Sequence, residues 1–261
     1  MLLPGHKTGS ASGMPHPRPL AHCPIIEALV DLRVAVGPAV TAEMFDDAVG
    51  LMAQRGFVRK GPIVEQTVTL GVGSDIPEPR ASQQLVGTRF HSSDDLFVAQ
   101  FTIHGFTVSR LRPYEAWSGL HRQAAGLWDL YRQIAVPSAL TRVATRYINE
   151  IMLPASPSPI LEDYLRAPPQ LPADLSGPPT NFLQRFVVHD RETGAQVIVT
   201  QARQRPDIRE HFPVLIDIDC FVEKTFDPDG TEALHLLEKL RDVKNRVFFG
   251  LLTERALELF Q

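Results

Sequence analysis

The chain has only two cysteines, Cys23 and Cys220, among 261 residues. Two thiols so far apart make no disulfide framework, and the cytoplasm is the expected setting. No uninterrupted run of about 18 apolar residues is present to cross a bilayer. Leu2 and Leu3 do not lead into the apolar stretch of a secretory signal, so no membrane partner is expected. An excess of one charge is missing too. The 26 Lys and Arg against 30 Asp and Glu leave a net charge of −4, which gives no general field to attract nucleic acid or anionic lipid. What the chain does have is 44% hydrophobic residues. A chain of this length can bury roughly 70–75% of its unfolded surface without a disulfide or metal staple.

Recognisable catalytic patterns are also missing. The nine histidines include no H-E-x-x-H and are accompanied by no C-x-x-C, so neither a metal nor a cofactor is expected. His104, His121 and His235 stand alone on their elements. No G-x-S-x-G elbow occurs, and Cys23 beside His22 is adjacent in sequence only. The stretch PGHKTGS (4–10) lacks the P-loop spacing, and GVG (71–73) lacks a third glycine and a following helix.

Periodicity is where the sequence speaks. Trp117, Leu120, Ala124, Leu127 and Tyr131 recur at helical steps, and Ala233, Leu236, Leu240, Val243 and Val247 repeat those steps 116 residues later. The strand-like runs ahead of each helix are offset by nearly the same amount. Ile25–Val36, Val64–Val72, Leu85–Phe90 and Leu96–Val108 read as strands, with a capped helix after Thr41 that ends at Gly56. In the second half Val143–Leu153, Phe182–Asp190, Ala195–Ala202 and Val214–Val222 read as strands. A short helical piece lies at Ile160–Leu165, and Thr253 is placed to cap a last short helix. The expectation is an α+β fold of two pseudo-duplicated β-α-β-β-β-α halves, residues 23–137 and 138–261. They would share a mostly antiparallel sheet with helices on one face. Residues 1–22, rich in Gly, Ser, Pro and His, are expected to be a disordered leader, or an over-extended start with Met14 as the initiator. The proline-heavy connector 168–179 is the expected flexible segment.

Three blocks carry a family resemblance: CPIIEALVDLRV, TRYINEIMLP and LEKLRDVKNRVFFGLLTERALELF. The matching positions are Pro24, Ile25, Glu27, Ala28 and Arg33; Arg146, Tyr147, Ile148 and Asn149; Lys244, Asn245, Arg246, Phe248 and Phe249. Together they resemble a sporadically distributed prokaryotic family of uncharacterised proteins with a P-I-x-E-A opening, a central R-Y-I-N and a closing K-N-R-x-F-F. The resemblance spans about residues 23–261 and implies no activity. The scattered distribution implies an accessory role in a mobile or defence-type gene system.

The candidate binding residues are Arg33, Arg146, Asn149, Glu150, Asp217 and Asp219. Asp217 and Asp219 lie two apart in a strand and so share a face. With Glu150 they could hold a hard divalent cation, the basis of a rival reading as an enzyme acting on a phosphate or nucleotide. The structural alternative is a polar sheet face in which these acids pair with Arg146 or Arg33. Alternation puts Arg146 and Glu150 on one face, and Asn149 with Tyr147 on the other. The basic residues Lys239, Arg241, Lys244 and Arg246 share their helix with Glu238 and Asp242 and read as a solvated, salt-bridged face. A second basic cluster, Arg203, Arg205 and Arg209, has no interleaved aromatics, which disfavours nucleic acid. The expectation is a non-catalytic binding or interaction module. Its partner would be a protein, itself or another, met through the open sheet face or the apolar tail around Phe248–Phe260.

Overall fold

The computed structural model describes residues 17–37, 39–69, 80–155, 159–172, 174, 179–203 and 210–261. Nine strands form one antiparallel sheet: β1 (Ile25–Ala35), β2 (Phe57–Thr69), β3 (Arg80–Ser92), β4 (Phe97–Thr102), β5 (Gly105–Leu111), β6 (Ala139–Pro154), β7 (Phe182–His189), β8 (Gln196–Arg203) and β9 (His211–Phe226). Their order is β2-β3-β4-β5-β1-β6-β9-β8-β7. The helices are α1 (Ala48–Gln54), α2 (Trp117–Ala135), α3 (Glu232–Leu251) and α4 (Glu254–Glu258). Single 3-10 turns at Ala42–Asp46 and Leu161–Asp163 precede β2 and β7. This is the expected α+β class with helices on one side of the sheet. No helix among the described residues is long and apolar enough to cross a membrane.

The first half differs from its expected β-α-β-β-β-α order. Residues 96–108 are not one strand but the β4–β5 hairpin, with Phe101 opposite Phe106 and Thr102 opposite Gly105. Ile103 and His104 form its turn, and Gly105 takes a positive φ of 154° where a Cβ would collide with the Leu32 backbone. The first half therefore contributes five strands and the second four.

The two sheet faces divide by alternation. On β1, Ala28, Val30 and Leu32 are fully buried under the helices. Phe45, Phe101, Phe106, Trp128 and Tyr131 make an aromatic cluster there, with Tyr131 at ring distances of 5.5–6.1 Å from the other four. Burying such rings contributes about 2–3 kcal/mol each. The opposite face carries the charged positions of β1, β6 and β9. The apolar tail is core rather than surface. Phe248, Phe249, Leu252, Leu257 and Phe260 are all buried, and Leu259 is left 38% exposed. Thr253 caps α4 as expected, accepting from the Ala256 amide at 3.2 Å.

Residues 17–22, expected to belong to the leader, are placed against the folded body. The His22 amide donates to the Phe260 carbonyl at 2.9 Å, Arg18 pairs with Glu254 at 2.6 Å, and Leu20 packs on the core. The remainder of the leader, the GVG run, and Arg205 and Arg209 of the basic loop lie outside the described residues.

Candidate functional site

The open face gathers five of the six candidate residues into ion pairs. Arg146 forks onto Asp217 at 2.8 and 2.5 Å, a bidentate geometry that raises the arginine pKa. Asp219 is held instead by Arg142, a residue the sequence reading passed over. Arg142 bridges Asp219 at 2.9 Å and Asp31 at 2.5 Å and lies over the Phe221 ring at 4.3 Å. Arg33 reaches Asp31 at 3.3 Å. Glu150 is paired with Arg112 at 3.1 Å. Desolvation raises the Asp219 pKa, and the charges of Arg142 and Arg146 pull it back down. A cation at Asp217 and Asp219 would have to displace both arginines. Among the described residues no three His, Cys, Asp or Glu side chains gather as a metal site.

Asn149 is parted from that group, as alternation requires. It is buried on the helix side, where its Nδ2 donates to the Ile216 carbonyl at 3.0 Å and the Tyr147 carbonyl at 3.4 Å. There it borders a cavity of about 320 Å³. Cys23, Pro24 and Ile25 from the start of β1 line it, with Tyr147 and Asn149 from β6 and Lys244, Asn245, Phe248 and Phe249 from α3. All three sequence blocks, far apart along the chain, thus meet at one pocket. Tyr114 and Glu115 ahead of α2 and Trp117 at its first position close another side. The Trp117 indole donates to Glu238 of α3 at 2.7 Å and ties the two helices together at the mouth.

Lys244 dominates the chemistry of this pocket. It falls on the buried stripe of α3 with Leu237, Leu240, Val243 and Phe248, so the expectation of a solvated face fails at this position. Only 8% of the residue is exposed. Its Nζ sits 3.9 Å over the Tyr147 ring, and among the described residues no hydrogen bond or ion pair joins it to another group. Burial without a counter-charge pushes its pKa down to about 8. The adjacent Arg241 pushes the same way, while Cys23, Cys220 and Asp242 push back.

The surrounding groups are short of partners as well. The Tyr147 hydroxyl is buried without a hydrogen bond of acceptable geometry. Its pKa is raised well above the usual value by burial and then by neighbouring Tyr114, whose ring lies 6.0 Å away edge-on. Burial also raises the Cys23 thiol, against the Ile25 amide and the Lys244 charge. At the mouth Arg18 is held by Glu254 at 2.6 Å and Arg241 by Asp242 at 3.5 Å, while the lining acid Glu115 pairs with Arg110 at 3.3 Å. A scan of the chain against protein-family models finds no match, and neither does a search of curated proteins.

Proposed function

We propose that this chain is a non-catalytic binding module whose helix-side pocket takes a small anion, a carboxylate or a phosphate. One observation carries the reading: Lys244 holds a buried cation at a pocket with no ion-pair partner among the described residues. A buried unpaired ammonium costs stability, and an anion that neutralises it recovers that cost on binding. Arg18 and Arg241 line the mouth within ion pairs to Glu254 and Asp242, while the Tyr147 hydroxyl and Asn245 offer neutral polar groups. Phosphate, acetate or lactate at low ionic strength should raise the melting temperature in a saturable way, and Lys244→Gln should abolish the rise. Absence of a rise, or its survival in Lys244→Gln, rejects the reading.

The strand order supports the further proposal that the two halves are a pseudo-duplication. β1 and β6 pair at the centre, β5 and β9 flank them, and each flanking strand leads into a long helix, α2 or α3. In that view the pocket lies at the junction of the halves, with walls from both. The three converging blocks also support placing the chain in the prokaryotic family that it resembles.

A second reading, association with another protein, is favoured by β7. This strand ends the sheet, and Leu183, Phe186, Val187 and Val188 on it are 44–64% exposed. An apolar edge with free backbone groups is a template for strand addition. Val187→Lys should lower any self-association seen by sedimentation. A strictly monomeric wild type, with no partner strand taken up, rejects this reading.

A further inference from the structure

The pocket has a property that simple ion binding does not use. Lys244 approaches it as an amine on a rigid stem, fixed by α3 packing and pressed on a ring face, with no ion pair among the described residues to hold its proton. Lysines that form carbonyl adducts are prepared in this way, by desolvation and by neighbouring cations. We infer that Lys244 captures its ligand as an imine, the ligand being a small carboxylate-bearing aldehyde or 2-oxo acid. The inference rests on the reading of the pocket as an anion site and adds the carbonyl group to it.

The chemistry balances without an oxidant or a second reactant. The neutral amine attacks the carbonyl carbon, a C–N bond forms, and the nitrogen proton passes to the former carbonyl oxygen. The resulting hydroxyl takes a second proton and leaves as water, giving a protonated imine. Its positive charge returns to the place over the Tyr147 ring that the ammonium held. The buried Tyr147 hydroxyl in the pocket wall, next to the Tyr114 hydroxyl, is a polar group suited to the oxygen of the intermediate. The ligand carboxylate would meet Arg241 at the mouth, in competition with the 3.5 Å ion pair that Arg241 makes to Asp242. Hydrolysis reverses every step, so capture is covalent and reversible with no turnover.

Availability of the neutral amine follows from the depressed pKa. At pH 7.5 about a quarter of Lys244 is unprotonated if its pKa is about 8. For an ordinary lysine the fraction is about 0.1%. Burial sets this value, with Cys23 ahead of β1, Arg241 and Asp242 on α3 and Cys220 on β9 acting on it; Tyr147 on β6 and Tyr114 and Glu115 ahead of α2 are the other titratable groups that line the pocket.

Trapping tests the inference. The full chain is incubated with pyruvate and sodium cyanoborohydride at pH 7.5, digested and mapped by mass spectrometry. Apart from label on the N-terminal amine, whose pKa is also about 8, one adduct is expected, heavier by the mass of pyruvate less one oxygen atom. It should lie on the peptide carrying Lys244, at least about tenfold above any label on the side chains of Lys7, Lys60, Lys224 or Lys239, and Lys244→Arg should remove it. Label spread evenly over the lysines, label that persists in Lys244→Arg, or no label overturns the inference. Site mapping in the wild type decides the matter even if the variant does not fold. Lactate carries the carboxylate without the carbonyl and separates the two claims. A lactate-induced rise in melting temperature without pyruvate trapping leaves the anion site standing and removes the imine; loss of both removes both.

Discussion

Replacing Lys244 with methionine, a stem of similar length without the charge, should stabilise the protein. The amine is protonated below about pH 8 in the fold, against a reference value of 10.5. That difference of about 2.5 units corresponds to about 3 kcal/mol of folding free energy lost at neutral pH. The contact over the Tyr147 ring disappears with the charge, an offset of about 1–2 kcal/mol. A net gain of about 1–2 kcal/mol remains, or roughly 2–8 °C in melting temperature for a chain of this size. The sign also fixes the pH dependence. Because the folded pKa lies below the unfolded one, the wild type carries the full cost below pH 8 and sheds it as the pH rises from about 8 to 10.5. The advantage of Lys244→Met should therefore be complete at pH 7 and absent near pH 10.5. Urea denaturation across that range, in buffers free of phosphate and carboxylates, measures it. A Lys244→Met variant less stable than wild type at pH 7, or a gain independent of pH, would show that the ammonium has a counter-charge and would refute the reasoning.

Three further outcomes are open to measurement. Arg142→Met leaves Asp31 and Asp219 facing each other on a part-buried sheet and should cost about 2–3 kcal/mol at pH 7 in chemical denaturation. Burial already raises the Asp219 pKa, so its charged form burdens the fold above that pKa, and the deficit of the variant should shrink as the pH falls towards 4. Gly87→Ala should cost more than about 3 kcal/mol, since a Cβ there would sit on the Phe101 carbonyl and 2.7 Å from the Thr102 Cα; a cost under 1 kcal/mol would contradict the β3–β4 pairing. Phosphate affinity, followed by calorimetry, should fall about tenfold per pH unit above pH 8 as Lys244 loses its proton; a flat profile would place the anion elsewhere.

The alternation of Ile26–Val34 and the helical steps from Trp117 and Ala233 were legible because one buried face imposes a single period on the residues behind it. Asn149 could be assigned to the face of Tyr147 for the same reason. The β4–β5 turn was not legible, because Phe97–Leu111 alternates on both sides of Ile103 and His104 and only Gly105 marks the reversal. The helix period set at Leu236 and Val247 was one residue away from the fully buried Leu237 and Phe248. That small rotation hid the main feature of the site. Lys244 lies four residues after Leu240 and seven after Leu237, on the buried stripe, yet its charged neighbours made it look solvated. A charged residue in the apolar phase of a helix was the signal available. Arg142 went unread because its importance lies in two acids, on β1 and β9, that only strand pairing brings to it.

The most direct test follows the lysine side chains by NMR across pH 6–11, with and without phosphate. One lysine, absent from the spectrum of Lys244→Arg, should titrate near pH 8 in the free protein and shift upward when phosphate binds. A Lys244 that titrates above pH 10 would contradict the buried, unpaired cation, and a midpoint that ignores phosphate would contradict the binding site built around it.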